Sequence, residues 1–339
     1  MTNAPALPRD AVAYPALIAG LALLAAALGV ASVAIGYGGF ALGPALADVV
    51  AGRETLPALV LVELRLPRAL LGLLVGASLG LAGAALQGLL RNPLADPGVV
   101  GVSGGAALGA VVAFYSGLAG LAPIALPAGG LAGAAVATAL LVLIGRGAGT
   151  TGLILAGVAI GSLAGALTAL ALNLAPNPYA VYEILFWLMG SLADRSLEHV
   201  ALALPFMAVG AALMLSGAPA LDALTLGEDT LASLGFSPGR LRWTVIGGVA
   251  AAVGAAVSVS GAIGFVGLVV PHLVRPLVGH RPGRLLVASA LGGAAMLTAA
   301  DIAVRLIPTA PELKLGVVTA LVGAPFLLAL LVRLRRLER

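Results

Sequence analysis

The sequence predicts an all-α polytopic membrane protein with about ten transmembrane helices. Of its 339 residues, 61% are hydrophobic and only 9% are charged, whereas a soluble domain carries about 25% charged residues. The apolar residues form long continuous runs, not the short alternating segments of a membrane barrel. Each run has close to the roughly 20 residues that an α-helix needs to cross a bilayer.

Ten apolar runs are candidate spans. Their approximate bounds are 12–35, 66–90, 98–116, 121–145, 152–174, 198–217, 241–260, 262–279, 284–306 and 313–333. Short amphipathic segments are expected between them, around 41–52, 178–191 and 221–233. We expect residues 1–339 to form a single transmembrane domain.

The basic residues predict the orientation of the chain. With the N-terminus in the cytoplasm, ten spans return the C-terminus to the same side. The inside segments then hold 12 basic residues and the outside segments hold 6. Because Lys and Arg are enriched in cytoplasmic loops, this orientation is favoured. The sequence therefore predicts a multi-pass membrane protein with both termini in the cytoplasm.

Several chemistries lack their usual residues. The chain has no cysteine, which excludes thiolate metal sites and a cysteine nucleophile. Its only lysine, Lys314, does not end a glycine-rich turn, so there is no phosphate-binding loop for ATP. The three histidines show no metal-ligand spacing, and no nucleophile–base pair is evident. We expect no catalytic residue, metal site or cofactor in this chain. The net charge of +4 rests on few residues and indicates membrane topology, not nucleic-acid binding.

A polar turn interrupts the apolar runs within the stretch QGLLRNPLADPGVVGVSGG, residues 87–105. Pro93 and Pro97 predict that one helix ends near Arg91 and that the next begins near Pro97. Glycines four residues apart flank the turn and predict close helix packing in lipid. These are Gly72, Gly76, Gly80, Gly101, Gly105 and Gly109. The turn is either an ordinary interhelical loop or a moving part of a transport path.

The run 152–174 carries small residues on one helix face. Gly157, Gly161 and Gly165 are spaced four apart, and the face continues to Thr168. Such a face either packs closely against a neighbouring helix or leaves room for a solute in a translocation path. Both interpretations remain open from the sequence.

Residues 218–235 differ from their surroundings because they are acidic on a side rich in arginine. Asp222, Glu228 and Asp229 lie there. Leu221, Leu224 and Leu231 are spaced to form one apolar face of short helices. The segment is either a solvated loop with interfacial helices or a docking surface for a cytoplasmic partner.

A chain of buried carboxylates, typical of proton-driven carriers, is missing from the predicted spans. Asp301 is the clearest acidic residue in a span, and Arg305 lies one helical turn further on. A local ion pair that eases their burial is the simplest interpretation. The sequence therefore disfavours an ion-driven secondary carrier.

Several stretches together resemble the FecCD family of binding-protein-dependent ABC importer permeases, which includes vitamin B12, haem and ferric-siderophore permeases. The resemblance covers about residues 12–335 and rests on long motifs. They are RLPRALLGLLVGASLGLAGAALQGLLRNPLADPGVVGVSGGAALGA at 65–110, LILAGVAIG at 153–161, WLMGSL at 187–192, LDALTLGEDTLASLG at 221–235, SGAIGFVGLVVPHLVRPLVG at 260–279, and ELKLGVVTALVGAPF at 312–326.

The resemblance implies a type II ABC importer permease fold in a bacterial inner membrane. It implies a second permease subunit, with a homodimer expected, and two cytoplasmic ATPase subunits that bind ATP and Mg. It also implies a periplasmic substrate-binding protein. Ferric siderophore is the first choice of solute, with haem and cobalamin as alternatives.

The resemblance also implies roles for particular residues. Arg65, Arg68 and Arg305 are expected to be exposed on the periplasmic face and to dock the binding protein. The cytoplasmic gate is expected at Asn92, Leu94, Thr150 and Thr151. Coupling to the ATPase is expected in the segment 218–235, at Leu221, Gly227, Glu228, Asp229, Leu234 and Gly235. The translocation path is expected along Gly157, Gly161, Gly165 and Thr168.

Overall fold

The computed structural model describes residues 10–36, 40–122, 124–145, 149–175, 177–309 and 311–337. Within these ranges the regular structure is helical. The α-helices are α1 (Asp10–Ala34), α2 (Leu42–Val50), α3 (Leu56–Leu59), α4 (Leu66–Leu89), α5 (Val102–Tyr115), α6 (Leu118–Leu121), α7 (Ala125–Ile144), α8 (Thr150–Asn173), α9 (Pro178–Leu188), α10 (Leu197–Ser216), α11 (Ala218–Leu224), α12 (Glu228–Ser233), α13 (Pro238–Ser260), α14 (Val266–Val274), α15 (Pro282–Leu306) and α16 (Leu315–Leu337). A π-helical turn, Val60–Arg65, joins α3 to α4, and 3₁₀ turns lie at Pro97–Val100 and Arg275–Val278.

The prediction of about ten spans is confirmed. Seven helices in the described part of the chain are long and apolar enough to cross a bilayer, and three shorter apolar helices accompany them. The expected amphipathic segments correspond to α2, α9, α11 and α12. The second span begins earlier than predicted, at Leu56, and runs for 34 residues. Pro67 lacks an N–H, and the wide turn before it shifts the helical hydrogen bonds so that the helix continues.

Three spans form the centre of the bundle. The apolar windows of α4 and α13 are 78% buried and that of α15 is 67% buried, against 17% for α1 and 28% for α7 and α10. Helix α4 packs against α13, α14 and α15, while α1 packs on α15, and α10 on α13. The outer helices therefore leave much of their surface to lipid or to other subunits.

Glycines let the central helices approach closely, as the sequence predicts. A β-carbon on Gly76 would overlap the carbonyl oxygen of Gly293, and one on Gly80 would overlap that of Ser289. Helices α4 and α15 are thus in backbone contact, the type of packing that stabilises helices in lipid. The α5–α7 contact is similar, with Gly105, Gly109, Gly129 and Gly133 at its centre.

The two ends of the bundle carry different features. Leu221 and Pro282 meet near the end of α4, and we name this the basal end. Arg68 and Arg305 meet around Asp301 at the opposite end, which we name the arginine end.

Candidate functional site

Helices α11 and α12 form a compact unit at the basal end. Leu221 and Leu231 are fully buried and Leu224 is 5% exposed, which confirms the predicted apolar face. Asp222 Oδ1 accepts a hydrogen bond from the backbone N–H of Gly283 at 2.7 Å. This bond satisfies one of the free N–H groups at the start of α15. The unit is therefore fixed to the bundle core.

The outer surface of this unit is apolar with acidic residues beside it. We name it the α11–α12 face. It consists of Leu226, Glu228, Asp229, Leu234 and Phe236, all of which are exposed. Leu226 is 68% exposed and Leu234 is 58% exposed. Contiguous exposed apolar side chains with a polar rim are typical of protein interaction sites.

One expectation for the coupling residues needs correction, and another stays untested. Leu221 has no exposed surface, so it supports the segment and does not contact a partner. Gly227 and Gly235 have backbone φ angles of 106° and 85°, and a β-carbon at either would meet no atom within 4 Å. The positive φ angle favours glycine at both positions. The open space leaves room for a partner, so the close approach of an ATPase subunit at Gly227 stays a prediction.

The polar turn after α4 carries one half of the expected gate. Asn92 Oδ1 accepts a hydrogen bond from the backbone N–H of Leu94 at 2.9 Å. Leu94 itself is 39% exposed. Asn92 therefore acts as a local cap in this structure, and Leu94 is free to contact another surface.

The other expected gate residues lie at the start of α8. Thr151 is exposed there, and the side chain of Thr150 lies outside the described part of the chain. We name the polar turn of residues 90–96 the gate turn, after its expected role. Helix α8 packs against the 3₁₀ turn at Pro97–Val100 that follows it. This contact is made by Gly157 and Gly161 further along α8. The two gate regions therefore lie on packed elements, but within the described part of this subunit the expected gate residues do not contact each other directly.

A buried polar cluster that sequence reasoning missed holds the gate turn. Gln87 is 2% exposed. Its side-chain amide donates to the carbonyls of Ala95 at 3.4 Å and Gly267 at 3.2 Å, and its Oε1 accepts a hydrogen bond from Arg275. Gln87 is the only amide side chain in the apolar run 66–90, and this was the one sign of the cluster in the sequence. The cluster joins α4, the gate turn and α14.

Asp96 ends the gate turn and caps the 3₁₀ turn that follows. Its Oδ1 accepts a hydrogen bond from the backbone N–H of Gly98 at 2.8 Å. Burial raises the pKa of Asp96, and the hydrogen bond from Gly98 partly opposes this effect. The stability of the turn therefore depends on the charge of this carboxyl group.

The small-residue face of α8 divides into two parts. Gly157 is buried and Gly161 half-buried, and both lie against Gly101 at the start of α5. In this structure they pack closely against a neighbour, as the first interpretation predicts. Gly165 is exposed with open space beside it. Thr168 is 9% exposed, and its hydroxyl finds no partner among the described residues. A path along this face remains a prediction.

The expectation that the three arginines are exposed is wrong. Arg65 and Arg305 are 7% and 6% exposed, and the Arg68 side chain is 13% exposed. Asp301 lies 2.9 Å from Arg68 and 3.0 Å from Arg305, so the predicted Asp301–Arg305 ion pair is confirmed. Glu312 also pairs with Arg68. No group of three or more His, Asp or Glu side chains within the described ranges is placed to hold a metal ion.

The burial of two of these arginines follows from the end of α1. An α-helix leaves its last four carbonyls without intrahelical partners, and they carry partial negative charge. The acceptor carbonyls here are those of Ser32, Val33, Ala34 and Ile35. Arg65 donates to the middle two at 3.0 and 2.8 Å. Arg305 donates to the outer two at 2.8 and 2.7 Å. Both arginines thus anchor α1.

Curated relatives match most of the chain. The cobalamin import system permease protein BtuC of Halobacterium salinarum is 38% identical over 269 residues, which cover 79% of this chain and 72% of that protein. The vitamin B12 import system permease protein BtuC of Vibrio cholerae is 45% identical, covering 80% and 82%. The Fe(3+) dicitrate transport system permease protein FecD of Escherichia coli is 39% identical, covering 81% and 86%.

A solved structure shares the fold. It is an inward-facing conformation of a metal-chelate type ABC transporter, with a TM-score of 0.81 and 33% sequence identity, covering 94% of this chain and 99% of the other. The family model described as the FecCD transport family matches residues 22–333. The chain therefore belongs to the FecCD transport family, the membrane permease components of ABC importers, whose ATPase is a separate subunit.

Proposed function

We propose that this chain is the permease subunit of an importer that moves a ferric siderophore or similar iron chelate from the periplasm to the cytoplasm. Relatives named for ferric dicitrate and ferric enterobactin transport support this solute class. Cobalamin is the second candidate, because relatives named for it are up to 45% identical to this chain. Haem is the third candidate, from the resemblance of the motifs alone.

The observation that carries the proposal is the α11–α12 face. Its exposed leucines stand on a unit whose other side is fixed in the core by Leu221, Leu231 and the Asp222–Gly283 hydrogen bond. A rigid exposed face can transmit a partner's motion to α15, since Gly283 lies in its first turn. We infer that a cytoplasmic ATPase subunit, which itself holds ATP and Mg, contacts this face. Glu228 and Asp229 would meet basic residues of that subunit.

Uptake by reconstituted vesicles tests the proposal. Vesicles that contain this chain, its ATPase subunits and the binding protein should accumulate a ferric siderophore only when ATP is supplied. Leu234→Asp should reduce this uptake at least about tenfold, since a charge in the apolar contact must be desolvated. Leu277→Asp is the matched control, because Leu277 is 60% exposed at the basal end but lies outside the α11–α12 face. Uptake of cobalamin but not siderophore would select the second candidate, and uptake without ATP would contradict the ATP-driven mechanism.

At the other end of the bundle, we infer that the substrate-binding protein docks at the arginine end. The part of the charged cluster that reaches solvent is the pair of Arg68, with 13% of its side chain exposed, and Glu312, with 24% exposed. A carboxylate of the binding protein would compete with Glu312 for Arg68. Glu312→Gln should therefore raise the affinity for the binding protein and steepen its dependence on salt. Unchanged affinity would remove Arg68 from the docking surface.

The gate and the path are proposed to form between two copies of the chain. Leu94 and Thr151 are exposed in this subunit, and a homodimer would bring both pairs to a common axis at the basal end. The exposed side of α8, which includes Leu155, Val158 and Gly165, would then line the path. The distribution of arginines supports a cytoplasmic location for this end.

A further inference from the structure

A groove on the outer surface of the bundle has features that the transport mechanism does not use. It has a volume of roughly 550 Å³ and lies between α7, α10 and α13. Its lining is almost entirely apolar and consists mainly of small side chains, including Ala135, Ala139, Gly247 and Ala251. The hydroxyl of Thr138 is already bonded to the carbonyl of Ala134 at 2.7 Å, so it offers no free donor. The groove suits a hydrocarbon chain.

The basal end of the groove is polar. Arg240 and Trp243 lie on the same face of α13 as Gly247 and Ala250, at spacings of three, four and three residues. The Trp243 ring reaches the end of α7, where its Cη2 lies 3.6 Å from the point that a β-carbon on Gly145 would occupy. The apolar groove thus ends at an indole ring, with an arginine one turn beyond it.

Both polar groups at this end are available to a ligand. Arg240 is exposed, and among the described residues its guanidinium makes no ion pair and no hydrogen bond. Within the same ranges the Trp243 indole N–H has no acceptor. Tryptophan is typical of the level of lipid headgroups. An arginine near the start of a helix extends its side chain toward the aqueous side.

We propose that this groove binds an anionic phospholipid of the leaflet at the basal end. One acyl chain would occupy the groove between α7 and α13. The headgroup phosphate would accept hydrogen bonds from Arg240 and from the Trp243 indole. Because α10 and α13 lead directly into and out of α11 and α12, the lipid would bind beside the segment that faces the ATPase. This site is independent of the solute that the importer moves.

Fluorescence quenching by brominated lipids tests the site. The chain has two tryptophans, so the full chain with Trp187→Phe reports on Trp243 alone. In vesicles of phosphatidylcholine, brominated phosphatidylglycerol should quench Trp243 at a mole fraction roughly fivefold lower than brominated phosphatidylcholine does. A fivefold preference is about what one arginine contributes at an anionic surface.

Two variants separate the parts of the site. Arg240→Gln should abolish the headgroup preference and retain the quenching, whereas Arg281→Gln, at another exposed arginine of the basal end, should keep the preference. Gly247→Leu should reduce quenching by both lipids because its side chain fills the groove. A β-carbon at Gly247 meets no atom within 4 Å, and the same is true at Gly20 on α1, where Gly20→Leu serves as the control.

Equal quenching by the two lipids would overturn the proposal, as would equal effects of Arg240→Gln and Arg281→Gln. No quenching by either lipid would mean that protein covers the groove, which also overturns it.

Discussion

Replacing Asp301 by Asn tests the charged cluster at the arginine end. Asp301 is 1% exposed and forms ion pairs with Arg68 at 2.9 Å and Arg305 at 3.0 Å. Asn keeps the size of the side chain and removes its charge, which leaves two buried guanidinium groups with one fewer anion. Loss of one partner from a buried ion pair destabilises a protein by about 3–5 kcal/mol. Glu312 still neutralises part of the Arg68 charge, so we expect the lower half of that range.

The matched control is Asp48→Asn. Asp48 pairs with Arg53 at 2.9 Å, but the Arg53 side chain is 62% exposed. An exposed ion pair contributes only about 0–1 kcal/mol. The two substitutions make the same chemical change, but Asp301 is buried between two arginines, whereas Asp48 pairs with one exposed arginine.

Thermal unfolding of the purified chain, at one scan rate and in one detergent–lipid mixture, measures the difference. Asp301→Asn should lower the midpoint by roughly 5–10 °C, and Asp48→Asn by no more than about 2 °C. The reasoning is refuted if Asp301→Asn melts with the wild type, or if both variants fall equally. Equal falls would mean that burial does not govern the strength of these ion pairs.

Three further predictions concern packing, charge and the gate. Gly76→Ala should destabilise the chain by about 1–3 kcal/mol because its β-carbon overlaps a carbonyl of α15. The control Gly20→Ala, which lies in open space, should leave the stability unchanged. Thermal midpoints that fall equally in the two variants would contradict this prediction. Burial raises the pKa of Asp96, so its stabilising effect is full below the ordinary carboxyl pKa of about 3.9 and is lost as the pH rises through the raised value. Asp96→Asn should therefore reduce the gain in midpoint between pH 7 and pH 4, and an unchanged pH dependence would count against this. Leu94→Cys should cross-link to its dimer mate in the inward-closed state and less in the inward-open state, on a background without native cysteine; cross-linking that ignores nucleotide would favour a purely capping role for the turn.

The sequence predicted the features that depend on local pattern. Apolar run lengths located the seven long apolar helices and the three shorter ones. Glycines four apart predicted that α4 and α5 pack closely, but their spacing did not show that the partners are α15 and α7. The leucine spacing in 218–235 predicted which face of α11 and α12 is buried. These predictions succeeded because helical periodicity and span length depend only on residues that are close together in the sequence.

The side-chain contacts that the sequence analysis missed depend on partners that are far away in the chain. Arg65 and Arg305 bind backbone carbonyls at the end of α1, and every residue has a carbonyl, so no side-chain pattern marks that partner. Gln87 lies 188 positions from Arg275, and only the packing of α4 on α14 brings them together. The motifs singled out Arg65, Arg68 and Arg305, but they did not show whether these side chains face solvent or the interior.

The anchoring of α1 has a consequence for the order in which the chain assembles. The window of α1 is only 17% buried, so packing alone holds it weakly. Arg65, about 30 positions further on, bonds to two of its last carbonyls, and Arg305, about 270 positions further on in α15, bonds to two others. During synthesis Arg305 is made long after α1, and contacts so distant in sequence form late. Helix α1 is therefore held by Arg65 first and gains its second anchor only when α15 has packed beside it.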